Sequence, residues 1–207
     1  MLFKLYSYID AVRRKKATGS LWQIGDGRRV ISMSLYGQTA RHTWGAIRNA
    51  QLVPVFLPTW TLRLYVAADP APPQLAVPPR ILAKLRLLGA QIARVPSNRN
   101  GTLEPRQWRL LVADDKTVDF FLIRDADWRL SEREAAAVRD WTQAAESGGP
   151  DSAVVHCIRD HPKHAASAIV DGLWGGRPAA LRRRLRRNLI VRLNASGDGQ
   201  NQTAQFL

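Results

Sequence analysis

The chain has 207 residues, 45% of them hydrophobic and 23% charged, proportions that suit one globular domain with a sizeable core. A single cysteine, Cys157, excludes an internal disulfide framework and fits a reducing, cytoplasmic compartment. The formal charge of +14 raises a nucleic-acid reading, but seven arginines against Asp198 in residues 176–207 supply +6 of it and the rest is scattered. An anionic substrate, a membrane surface and an acidic partner therefore stay open.

No apolar run approaches the length of a membrane span. In MLFKLYSYIDAVRRKK the charges follow the short apolar part, the wrong order for a signal peptide. Residues 1–28 read as a polar lead-in with a basic RRKK cluster and a GDGRR turn. RVISMSLYG is then a strand, with Val30, Ile31, Met33 and Leu35 bounded by Gly37. ARHTWGAIRNAQLVPVF has helical spacing, with Trp44, Ile47 and Leu52 on or near one face, and is expected to stop near Pro54. TLRLYVAAD alternates Leu62, Leu64 and Val66 as a second strand, and APPQLAVPP is a loop. PRILAKLRLLG is a helix with proline near its start and Gly89 past its end, and AQIARVP is a third, short strand.

PRQWRLLVADD reads as another helix, with Trp108, Leu111 and Val112 available for burial. VDFFLIRD is so apolar that it must be a strand covered on both faces. SEREAAAVRDWTQAAES carries the strongest helix signal. Ser131 and Glu134 have capping-box spacing, and Ala136, Val138 and Trp141 supply an inner face. After the SGGPDS break, AVVHCIRD is another strand. This alternation predicts an α/β sandwich with a largely parallel sheet over 29–177, then a basic helix and polar tail over 178–207. Trp44, Trp60, Trp108 and Trp141 are expected in the core. In LRRRLRRNLIVRL, Leu181, Leu185 and Leu189 make a narrow stripe that suits a core-facing helix or one lying on anionic headgroups. No aromatic residues interleave with its arginines, which weakens the nucleic-acid reading.

In open α/β sheets ligands bind beyond the carboxyl ends of the strands, where Asp125 and Asp127 follow VDFFLI. Carboxylates at i and i+2 of a turn can face one hard cation, although a polar strand-to-helix loop carries such residues anyway. His156, Cys157, His161 and His164 fall within nine residues, but neighbours on a strand face opposite ways, so a shared zinc is disfavoured.

SMSLYG (32–37), AIRNAQL (46–52), QWRLLVADD (107–115), RDADWRLSERE (124–134), RDHPKH (159–164) and DGLWGGR (171–177) occur in this order. Together they resemble a group of GT-A-type, D-x-D-containing glycosyltransferase-like proteins associated with polysaccharide and glycan assembly. The resemblance spans roughly 24–177. It implies a GT-A-like three-layer α/β sandwich with a mainly parallel sheet, a nucleotide-sugar donor, Mn2+ or Mg2+, and a glycan or lipid-linked acceptor. It also implies that Ser34, Leu35, Tyr36 and Gly37 border the nucleotide. Asp125 and Asp127 match the D-x-D, with Asp127 the stronger candidate for direct metal contact and Asp125 for metal or ribose. Arg124 and Arg129 would meet phosphate oxygens, or one of them would pair with Glu132 or Glu134.

Such enzymes commonly add a downstream histidine to the metal, a place His161 or His164 would take. Asp160, or failing it Asp171, is the base for the acceptor hydroxyl; Asp160 would otherwise pair with Arg159. Trp174 and Gly175 would border the sugar, unless Trp174 is a core ring. Asp114 and Asp115 are weaker candidates for donor contact. Trp128 stands where the pattern carries a small polar residue. QTAQFL reads as the start of a further segment, so a C-terminally truncated member is expected. A catalytically degenerate glycan-binding or scaffold protein is the alternative, and a basic nucleic-acid-binding protein a third. The expected location is cytoplasmic, with peripheral contact at a membrane surface.

Overall fold

A computed structural model of the chain describes residues 28–96, 103–149, 152–164 and 169–185. The lead-in over 1–27, Leu189 and the polar tail lie outside the described residues. Six strands form one sheet: β1 (Arg29–Ser34), β2 (Thr61–Ala67), β3 (Gln91–Val95), β4 (Phe120–Arg124), β5 (Val155–Cys157) and β6 (Leu173–Gly176). Their order is β3-β2-β1-β4-β6-β5. β1 runs parallel to β2 and β4, and β2 parallel to β3. β6 is antiparallel to both β4 and β5, so the sheet is mixed but mainly parallel. The α-helices are α1 (Ala40–Phe56), α2 (Pro79–Leu87), α3 (Glu132–Ser147) and α4 (Pro178–Leu185).

β4 is buried at all five positions because it lies between β1 and β6 with both faces covered. Strand alternation sends Phe120 and Leu122 into one core, with Ile47 and Leu52 of α1, Leu82 and Leu85 of α2, and Val138 and Trp141 of α3. Phe121 and Ile123 enter the second core, with Trp108, Val112, Trp174 and Leu181. The result is an α/β architecture compatible with three layers.

Several elements depart from the sequence reading. Trp44 is 65% exposed, whereas Trp60, Trp108 and Trp141 are buried as expected. α1 runs past Pro54 to Phe56, with the Leu57 N–H on the Val53 carbonyl at 2.8 Å. Pro54 lacks the N–H that would reach the Ala50 carbonyl, so the helix forgoes one bond there, and burial of Leu52 and Val53 holds the turn. PRQWRLLVAD forms a 3-10 helix, Pro105–Asp114, rather than an α-helix. β1 explains why. The Ser32 hydroxyl donates to the Arg109 carbonyl at 2.7 Å. The Ser34 hydroxyl donates to the Arg106 carbonyl at 3.1 Å and accepts the Arg109 N–H at 2.9 Å. Those backbone groups are satisfied from outside the helix.

β6 had no strand signal, since two of its four residues are glycine. A Cβ at Gly175 would overlap the Phe121 carbonyl oxygen, so β6 can approach β4 only with glycine there. At the start of α3, Ser131 accepts the Glu134 N–H at 3.2 Å, as the capping spacing predicts. In α4, Leu181 and Leu185 are buried while Arg183 and Arg184 are exposed. The described half of the leucine stripe therefore faces the core and is not a lipid-facing surface. Among the described residues no helix is long and apolar enough to cross a membrane.

Candidate functional site

The turn after β4 carries Asp125 and Asp127 at the carboxyl edge of the sheet. Buried Asn49 of α1 holds this turn in shape. Its amide donates to the carbonyls of Trp128 at 2.6 Å and Ala126 at 3.2 Å, and its oxygen accepts the Leu130 N–H at 3.2 Å. Three main-chain groups that would otherwise be costly to bury are thus satisfied by one side chain.

Asp125 accepts a hydrogen bond from Arg109, whose other terminal nitrogen donates to Asp171 at 2.8 Å. The Arg109 side chain is 6% exposed, whereas that of Asp171 is 67% exposed. Burial works against the Arg109 charge, but Asp125 and Asp171 outweigh it and raise its pKa above the ordinary value. Gly172, at φ +81°, makes room for this cluster, because a Cβ there would come within 2.8 Å of the Asp125 carboxyl carbon. Asp127 pairs with Arg41 in the first turn of α1 at 2.6 Å.

The structure thus gathers Asp125 and Asp171 on Arg109, and pairs Asp127 with Arg41. Sequence reasoning passed over both arginines. Arg109 carries no local signal, since its partners lie 16 and 62 positions away. Arg41 did carry one: a cation in a first helical turn opposes the helix dipole unless a carboxylate answers it.

Other expectations are corrected. Arg124 cannot meet a phosphate: it is fully buried, its Nε donates to Glu134, and Nη1 donates to the Ile123 and Trp174 carbonyls at 2.7 and 2.9 Å. Arg129 is exposed and donates to the Asp127 carbonyl at 2.8 Å, so it stays on the turn. Trp174 is fully buried, edge-on to Phe121 with ring centroids 5.1 Å apart, and neither it nor buried Gly175 offers a surface to a sugar. Leu35 is likewise in the core, and the Ser34 hydroxyl is engaged by the 3-10 helix. Tyr36 is half-buried, edge-on to Trp108, while Gly37 uses φ +71° to leave β1.

Asp160 pairs with Arg133 of α3 at 3.0 Å, an exposed contact, and is not part of the Arg109 cluster. Asp115 anchors a turn, accepting from Thr117 and from Arg63 at 2.7 Å. Against the effect of burial, Thr117 and Arg63 hold its carboxyl below the usual range.

Two carboxylates on one turn are the donor type that an octahedral, oxygen-preferring cation takes, with water and phosphate completing its shell. They do not make a closed protein cage. Among the described residues no group of three His, Cys, Asp or Glu is arranged to hold a metal ion, and His161 is not gathered with Asp125 and Asp127. Its ring instead lies 5.6 Å from that of His164. Arg41, itself exposed, is the partner a cation at Asp127 would displace.

His156 of β5 is stacked on Trp141 with centroids 5.2 Å apart, and its Nε2 has no partner among the described residues. Burial, aided by Arg124, lowers its pKa from 6.5 to about 4. Between these values the unfolded chain binds the extra proton, so stability is full above pH 6.5 and falls as the pH drops toward 4. The slope there should approach about 1.4 kcal/mol per pH unit. Urea titrations across this range should show it, and His156→Gln should flatten it. An unchanged slope in that variant would assign the acid sensitivity to other groups.

No family model matches the chain, and a search of curated proteins returns no match.

Proposed function

We propose that the chain is a metal-dependent glycosyltransferase of GT-A-like architecture that moves a sugar from a nucleotide-diphosphate donor to a hydroxyl acceptor. The observation that carries this reading is the D-x-D turn. It stands at the carboxyl end of β4, a strand inside the sheet, braced by Asn49, with Asp125 and Asp127 both reachable from solvent.

Asp125 and Asp127 would hold Mn2+ or Mg2+, which when bound neutralises charge on a departing diphosphate. Arg109 fixes Asp125 and brings Asp171 beside it. Exposed Asp171 thereby becomes the base for the acceptor hydroxyl in preference to Asp160, because Asp171 alone shares a cation with the D-x-D. Arg41 and Arg129 are the exposed cations at the turn for the diphosphate oxygens. A glycan or lipid-linked acceptor and work at the cytoplasmic membrane surface belong to the same proposal.

One observation favours a second reading. Both D-x-D carboxylates already have arginine partners, which suits a catalytically degenerate glycan-binding or scaffold protein.

Thermal unfolding with UDP- and GDP-sugars, with and without manganese, separates the two. At a hundredfold excess over Kd, donor binding stabilises by about 2.7 kcal/mol, or about 5–10 °C for a domain of this size. The shift should require manganese and disappear in Asp127→Ala. Donor binding without transfer or hydrolysis would favour the degenerate reading. Salt-sensitive oligonucleotide binding untouched by Asp127→Ala, in a chain that binds no donor, would replace both.

A further inference from the structure

A groove of about 610 Å³ opens between α1 and α2, within the size range of small-molecule sites. Its lining includes Trp44, Gln38 and Gln51 from the α1 side and Ile81, Arg80 and Lys84 from α2. Trp44 is one of three large hydrophobic residues left exposed among the described residues, and it is part of the groove lining. Arg80 and Lys84 stand four residues apart on one helix, so their side chains share a face. Among the described residues no carboxylate lines the groove. Arg48 donates to the Gln51 side-chain oxygen at 3.2 Å and so orients that amide.

We propose that this groove binds an acidic saccharide, with a sugar ring laid on Trp44 and its carboxylate or sulfate held between Arg80 and Lys84. The flat indole matches the apolar face of a pyranose, the amides of Gln38 and Gln51 match its hydroxyls, and the two cations match the acid. A nucleic acid would be served by successive aromatic platforms, whereas among the described residues Trp44 is the only aromatic one lining the groove.

The groove also adjoins the D-x-D turn. Arg41, one helical turn before Trp44, pairs with Asp127, and Gly45 packs on the Ala126 carbonyl. As an acceptor subsite the groove rests on the transferase reading; the binding itself does not.

Calorimetry on the full chain tests this, using a tetra-uronide and a neutral tetraglucan at about 0.15 M salt, where screening is strong beyond about 8 Å. The uronide should bind at least tenfold more tightly than the glucan. Trp44→Ala and the double variant Arg80→Glu, Lys84→Glu should each weaken uronide binding at least tenfold while thermal unfolding stays unchanged. Equal binding of the two sugars would overturn the proposal, as would unchanged uronide binding in either variant. Competition by tripolyphosphate, a tetranucleotide or anionic vesicles as strong as by the uronide itself would do the same. Asp127→Ala should abolish donor binding and leave uronide binding intact. Uronide binding by a chain that binds no donor would sink the transferase reading alone. Donor binding without uronide binding would sink this one alone.

Discussion

Glu134→Ala should lower the unfolding free energy by about 3–5 kcal/mol, the range for removing one partner of a buried ion pair. The Arg124 side chain is 0% exposed and that of Glu134 is 5% exposed, so no water replaces the lost carboxylate. Arg124 also joins β4 to β6 through its bond to the Trp174 carbonyl, and an uncompensated charge there would strain both strands. Since a domain has only about 5–15 kcal/mol in total, the variant should unfold at markedly lower urea. Replacing both residues by leucine should cost less than Glu134→Ala alone, because no buried charge is then left unpaired. A loss under about 1 kcal/mol in Glu134→Ala would mean that the Arg124 charge is answered elsewhere. The Arg109 cluster differs in this respect. Asp171 is largely exposed, so losing that contact returns the carboxylate to water at small cost.

Gly45→Ala should be the second most damaging change, through the D-x-D turn. A Cβ at this position would overlap the Ala126 carbonyl oxygen and come within 2.9 Å of an Arg129 guanidinium nitrogen. The arginine can swing away, but the carbonyl is main chain and cannot. α1 must move off the turn, at about 1–3 kcal/mol for overpacking. The Asn49 bonds that shape the turn would weaken with it. The variant should therefore lose both stability and any manganese-dependent stabilisation by donor. Gly89→Ala is the control: nothing lies within 4 Å of its Cβ, so only the φ of +86° is strained and the turn is untouched. Equal donor responses in the two variants would show that α1 does not position the D-x-D.

The α/β class, the burial of β4 on both faces, the Ser131 cap and the turn at Gly89 were all legible in the residues themselves. Each depends on local chemistry: an apolar run, a hydroxyl three residues before an N–H, a glycine free to take positive φ. The placement of Asp125 and Asp127 beyond a strand end was legible for the same reason. Tertiary contacts decided the rest. The 3-10 form of Pro105–Asp114 comes from two serines of β1 that take its backbone groups, a partner no local window contains. β6 escaped notice because glycine carries no strand signal, and its purpose at Gly175 exists only once Phe121 lies against it.

Trp44, expected in the core, is exposed, whereas Trp174, open between a sugar face and a core ring, is buried; ring chemistry is the same in a core and at a surface and only the neighbouring elements choose. Arg124 and Arg109 follow the same rule. A guanidinium in the sequence is a charge seeking any carboxylate. Which one it finds is settled by which strands and helices pack together, because Coulomb attraction depends on distance in space and not along the chain.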